Sequence, residues 1–189
     1  IPVRSWIIAF AGSVISRDSA IRSQETNAIF CSSDSITSAR QPRAMAEVEE
    51  MTEAIGADVI LDRCGNALTS QSVGPKILWL KRNDPEIFGQ SGKVLTSTSF
   101  VVHRLTGEYV IDHYTAANFS PFYDVGMQDW CFDLAPDVIG TERLPRLLWS
   151  SEIAGQVTEK AAAETGLAPG TPVTTGTIDA AAEALSVGV

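Results

Sequence analysis

Residues 171–189 read TPVTTGTIDAAAEALSVGV, and the order of residue types sets out a strand, a glycine turn and a helix. The β-branched run Val173, Thr174, Thr175 has the stiff side chains that suit a pleated, buried strand. Gly176 carries no Cβ and so permits a turn or a close backbone approach. Ala180 to Leu185 is built from strong helix formers. Asp179 therefore stands at the mouth of a strand-to-helix connection, where two roles are open to it. It can cap the helix by accepting from a free amide of the first turn. It can also take the proton of a hydroxyl that attacks a phosphoryl group, a reaction governed by positioning and charge placement. A capping carboxylate commits its oxygens to backbone amides, whereas a base keeps one for its substrate.

Working back toward the N-terminus, Thr158 is placed to cap a short helix running through Glu164, Gly166 to end it, and Pro169 with Gly170 to turn the chain into the final strand. Thr96 to Leu105 reads as a helix with Phe100, Val101 and Leu105 as apolar contacts, and Gly107 turns the chain into a short strand at Tyr109 to Ile111. Pro75 suits the first turn of another helix, which Ile77, Leu78, Trp79 and Leu80 make mostly buried and Asn83, Asp84 and Pro85 end. Met45, Val48, Met51 and Ile55 recur at helical spacing up to Gly56, with Glu47, Glu49, Glu50 and Glu53 read as a mostly solvated face. Asp62 to Val73 is polar and turn-rich. Alternating strands and helices imply an α/β domain.

At 189 residues there is room for one good-sized core. A net charge of −9 and a pI near 4.6 argue against nucleic acid or an anionic membrane as partner. The early apolar run Trp6 to Gly12 is too short to span a bilayer. Cys31, Cys64 and Cys131 lack paired-ligand spacing and fit a reducing cytoplasm and buried or half-buried thiols, not disulfides or zinc. His103 and His113 stand without a ligand pattern, so no protein-bound metal is expected. Phe122 to Trp130 and Leu144 to Trp149 supply aromatic and leucine anchors for the core, with stacking on a sugar as the other use of such rings.

Five segments in order carry a resemblance: RAMAEVEE at 43–50, GPKILWL at 74–80, KVL at 93–95 with RLTGEYV at 104–110, YDV to DW across 123–130, and the 171–189 stretch. Together they are similar to the FGGY carbohydrate kinases, in particular to the pentulose kinases among them, over residues 43–189. The resemblance implies an actin-like, ribonuclease H-like fold and transfer of the γ-phosphate of ATP, with Mg²⁺, to a hydroxyl of a ketopentose such as xylulose. It makes Asp179 the general base and brings Gly176 and Thr177 to the cofactor. Arg43 matches a sugar-holding Arg, and Asp112, Tyr114 and Asn118, in the stretch DHYTAAN at 112–118, match a sugar-contacting segment. An Asx-type turn leading the chain out of the strand is the alternative at Asp112.

Two departures qualify the match. Gln41 occupies the position of a family Asp, and residues 1–42 are rich in Ser and Arg without periodicity and match nothing in the family. A shifted reading frame upstream of Pro42 is one account of this change; a search for a better family match in the other two frames tests it. The family's opening phosphate loop has no counterpart here, and residues 43–189 are expected to be part of the N-terminal, sugar-binding domain, without the C-terminal ATPase domain and inactive alone. A catalytically silent module of the same fold is the competing reading. The expected partners are sugar and ATP; a second copy, in a homodimer, is left open.

Overall fold

The computed structural model describes residues 28–30 and 44–188. Arg43 and Gln41, with the sugar contact expected there, lie outside the described residues, as does Cys31. Strand β1 (Ala28–Phe30) comes first, followed by helix α1 (Met45–Ile55), which Gly56 closes with its amide on the Thr52 carbonyl at φ 96. Val48 and Met51 are buried on it, as their spacing predicts. Glu47 departs from the solvated face assigned to it: it is buried and lies 3.9 Å from Arg82, whose guanidinium also forks onto Glu50 at 2.6 and 2.7 Å. A carboxylate facing the core is tolerated here because a cation reaches it.

Helix α2 (Ala57–Cys64) was not foreseen. Its eight residues bury only Ile60 and Cys64, one turn apart, while Asp58, Asp62 and Arg63 dilute the pattern, so the turn-rich stretch begins at Gly65 and not at Asp62. Helix α3 (Val73–Asn83) has Pro75 in its first turn and buries Ile77 and Leu80. Asp84 then starts a further short helix, α4 (Pro85–Gln90), by accepting from Ile87 N at 3.3 Å with Pro85 at the first position. The Asn-Asp-Pro run thus both ends one helix and begins another.

Strand β2 (Lys93–Leu95) pairs in parallel with β1, Ile29 opposite Val94. Helix α5 (Ser97–Thr106) is capped by Thr96 and closed by Gly107 at φ 84. Its buried apolar residue is Val102, while Val101, expected as a contact, is 55% exposed. Strand β3 (Val110–Asp112), helix α6 (His113–Ala116) and the antiparallel pair β4 (Tyr123–Asp124) and β5 (Asp129–Trp130) follow. Strand β6 (Arg146–Leu148) returns to β3 in parallel, Ile111 opposite Leu147. Such parallel pairs need the long crossovers that α1–α4 and the 113–145 segment supply. Strands β7 (Ile153–Gln156) and β8 (Pro172–Thr174) pair antiparallel around α7 (Glu159–Thr165), which runs from a Thr158 cap to Gly166 as anticipated, and α8 (Asp179–Ser186) ends the described chain.

The main core packs α1, α2 and α3 against Val94, Ile111 and the fully buried Phe119 and Phe122. A second cluster of Val102, Val110 and Ala154, with Leu148 and Val173 against it, joins α5, β3, β6, β7 and β8. Strand β8 itself is not the buried strand its β-branched residues suggested: Pro172 and Thr174 are exposed, and burial falls on Thr175 just beyond it. Cys64 and Cys131 are free and buried as expected. Among the described residues no helix is long and apolar enough to cross a membrane.

One glycine is needed for packing and not for its backbone angle. The Gly74 amide donates to Ser120 O at 3.1 Å, and an added Cβ would lie 2.5 Å from that oxygen and 2.6 Å from Pro121 Cδ. Gly74→Ala is expected to destabilise by a net of about 1–2 kcal/mol, the overpacking outweighing a helix-propensity gain of up to ~1 kcal/mol. A lowered melting temperature of the complete protein checks this; an unchanged or raised one contradicts the close approach.

Candidate active site at the glycine turn

The segment from Thr175 to Asp179 is held on its N-terminal side by three other parts of the chain. Thr175, 2% exposed, donates its amide to Glu152 O at 2.9 Å and its hydroxyl to the same oxygen at 3.2 Å. Gly176 donates its amide to Ser150 O at 3.2 Å. Its φ of 74 and the 2.9 Å that would separate an added Cβ from Thr98 Cγ2 both require glycine. Thr98 donates its hydroxyl to Thr177 O at 3.4 Å, so the N-terminal turn of α5 also touches the loop. Thr177 donates its own hydroxyl to Asp112 Oδ2 at 2.8 Å.

Asp112 closes β3 and is 2% exposed. Its Oδ2 also accepts from Tyr114 N at 3.2 Å, Thr115 N at 3.3 Å and Ser150 Oγ at 3.2 Å. The backbone contacts make it the cap of α6, the local turn that the sequence left open as an alternative. The Ser150 and Thr177 contacts are long-range and carry no sequence signal. They join the end of β3 to the β6–β7 connection and to the glycine turn.

Asp179 is exposed and is the first residue of α8, whose cap position is Ile178 with no side-chain capping bond. Its Oδ1 accepts from the adjacent Ala180 N at 2.8 Å. Among the described residues Oδ2 has no hydrogen-bond partner. A carboxylate in the first turn of a helix is favoured by the helix dipole. The Ala180 amide lies in the first turn of α8, so Oδ1 fills the capping role left open by the sequence, while Oδ2 takes no part in that bond and leaves the second role open.

The remaining candidates lie around α6. Tyr114 is 56% exposed and meets Trp149 edge-on, with ring centroids 6.2 Å apart. Trp149, placed by sequence among core anchors, is 41% exposed and packs on His113 at 4.4 Å. His113 Nδ1 lies 2.8 Å from the Tyr123 hydroxyl; burial pushes that phenol's pKa up and keeps it protonated. Asn118 is half-buried in the 3-10 turn Ala117–Phe119 that follows. Thus Asp112, Gly176 and Thr177 are brought together, Tyr114 is linked to them through the Trp149–Ser150 corner, and Asp179 follows two residues after Thr177. Ser150 and Thr98 were not singled out by sequence, because each reaches the turn only through tertiary folding.

Among the described residues no group of three or more His, Cys, Asp or Glu could hold a metal ion. Burial raises the Cys64 thiol and pushes Cys131 up to about 11, so both are neutral packing groups at pH 7 and not nucleophiles.

The sequence profile of the "FGGY family of carbohydrate kinases, N-terminal domain" matches residues 32–186. The chain belongs to this family. It is 36% identical over 126 residues to the xylulose kinase of Escherichia coli (strain K12), covering 66% of this chain and 26% of that protein. It is 28% identical over 152 residues to an autoinducer-2 kinase of Yersinia pestis bv. Antiqua (strain Angola), covering 80% of this chain and 28% of the relative. The crystal structure of xylulose kinase from Rhodospirillum rubrum superposes with a TM-score of 0.74 at 34% identity, over 78% of this chain and 30% of that one. The chain therefore spans 26–30% of the length of these FGGY relatives. The α/β arrangement is that of the actin-like N-terminal domain of FGGY kinases.

Proposed function

We infer that the complete protein is an ATP-dependent carbohydrate kinase that phosphorylates a hydroxyl of a ketopentose such as xylulose, and that residues 43–189 form part of its sugar-binding domain. The observation that supports it most is Asp179, exposed at the end of a braced glycine turn with one oxygen outside the backbone bonding. As the attacking hydroxyl approaches phosphorus, Asp179 Oδ2 accepts its proton. ATP supplies the phosphoryl group when bound, and Mg²⁺ neutralises its charge. Arg43, Tyr114 and Asn118 are the sugar contacts. Tyr114, beside Trp149, offers an exposed aromatic face of the kind that stacks on a sugar ring.

The relatives' names support a small polyhydroxylated substrate but differ among themselves, xylulose in one case and autoinducer-2 in another. Catalysis needs nucleotide and sugar held in line, so the activity belongs to the complete enzyme. The buried, reduced Cys64 and Cys131 suit a cytoplasmic setting. Coupled ADP release by the complete protein, with ATP, Mg²⁺ and a panel of ketoses and polyols, tests the assignment. Release that depends on a ketopentose is expected. Release stimulated only by another polyol would move the substrate class, and none with any sugar would favour a silent module.

A further inference from the structure

We propose that Asp112 is a positioning residue that sets the place of Asp179 through the Thr177 hydroxyl, a role that presupposes Asp179 as the base. Asp112 is nearly inaccessible, and its Oδ2 gathers four donors from three chain segments, the shortest being Thr177 Oγ1 at 2.8 Å. Only Ile178 separates Thr177 from Asp179. Within the described residues α8 has no fully buried residue. The start is fixed from the other side, by Thr175 on Glu152, Gly176 on Ser150, Thr98 on Thr177 and Thr177 on Asp112.

Of these contacts the last ends on a carboxylate, and hydrogen bonds to ionised acceptors are roughly twice as strong as neutral ones. Together with the Thr98 contact, it falls on the braced residue nearest, along the chain, to the reacting carboxylate. A misplacement of ~1 Å can cost about 10²-fold in rate, which is the scale on which loss of this tether acts. It follows that the Thr177 hydroxyl is committed to the protein and not to a nucleotide phosphate, and that Asp112 Oδ2 is committed to the turn and not to a sugar hydroxyl.

Steady-state kinetics of the complete protein on its best sugar separate these roles. Thr177→Val keeps the shape and removes the hydroxyl; kcat is expected to fall about 10- to 100-fold, with KM for sugar and for ATP each within about 3-fold of wild type. Thr177→Ser restores the hydroxyl and should recover kcat to within about 3-fold. Asp112→Asn keeps an acceptor oxygen but removes the charge, so it should weaken the bond and lower kcat by less than Thr177→Val, and combining the two should cost little more than Thr177→Val alone, because both act on one bond. Thr177→Ala carries the same kcat test if the valine variant does not fold.

A rise in the KM for ATP at unchanged kcat in Thr177→Val would make Thr177 a nucleotide contact and overturn the proposal. A rise in sugar KM alone in Asp112→Asn would make Asp112 a sugar contact, with the same consequence. Asp179→Asn, run in parallel, distinguishes the premise from the proposal. If it is inactive while Thr177→Val turns over at the wild-type rate, only the positioning role falls; if it keeps wild-type turnover, the base assignment falls and the positioning role with it.

Discussion

Replacing Asp179 by Asn in the complete protein is expected to lower kcat for sugar phosphorylation by about 10²- to 10⁴-fold, the usual contribution of a positioned general base. The substitution preserves shape, and an oxygen remains to accept from Ala180 N as Oδ1 does at 2.8 Å. The fold of the turn is therefore retained, since its bracing comes from Thr175, Gly176 and Thr177 and not from Asp179. What the amide cannot do is take a proton from the attacking hydroxyl. Because that interaction strengthens only as the bond to phosphorus forms, kcat and kcat/KM should fall together while the KM for sugar changes little. Steady-state kinetics read all three quantities, and a kcat within about 3-fold of wild type would remove Asp179 from the chemistry.

The largest stability effect is expected at Asp124, well away from that turn. This buried carboxylate accepts from Arg63 Nε at 2.8 Å through Oδ2 and from the amides of Gly126 and Met127, both at 2.9 Å, through Oδ1. It thereby shapes the β4–β5 connection and ties it to the end of α2, where Val125 N also meets Arg63 O at 2.8 Å. Asp124→Ala strands three donors at once. Arg63 keeps its pairing with Asp133 and is partly solvated, which tempers the loss to about 2–4 kcal/mol.

A pH dependence accompanies it. The Arg63 guanidinium, followed by the Met127 amide, holds the Asp124 carboxyl below its ordinary range. A carboxylate whose pKa is lower folded than unfolded adds stability that is present above the unfolded pKa, about 3.9, and lost as pH falls through the folded value. The gap between wild type and Asp124→Ala should therefore be full at neutral pH and narrow below about pH 4. Melting temperatures of the two proteins across that range measure it; a gap that widened in acid would contradict the ion pair.

Much of this architecture was legible from local chemistry. Gly56, Gly107 and Gly166 close their helices with positive φ, and Thr96 and Thr158 open theirs, at the positions where short-range capping rules place them. The misses are tertiary. Helix α2 buries too few residues to show a period. Glu47 is drawn inward by the guanidinium of Arg82, which sits on α3 and not on its own helix. Val102 rather than Val101 faces the core because the orientation of α5 is chosen by β3 and β7.

The candidate site divides the same way. The strand, Gly176 and the helix after Asp179 are written in sequential residues. That Asp112, 65 residues before Thr177, should accept its hydroxyl could not be read from a pattern in which Asp112 looked equally like a turn residue or a sugar ligand. The bonds from Ser150 are equally silent in sequence, since an ordinary polar loop residue becomes part of the site only once β6 pairs with β3.

The most direct measurement is ³¹P NMR of the complete protein incubated with ATP, Mg²⁺ and D-xylulose, with the Asp179→Asn variant alongside. The account predicts a sugar phosphate monoester signal growing with the wild type and none over the same period with the variant. No monoester with the wild type, or equal growth in both samples, would contradict it.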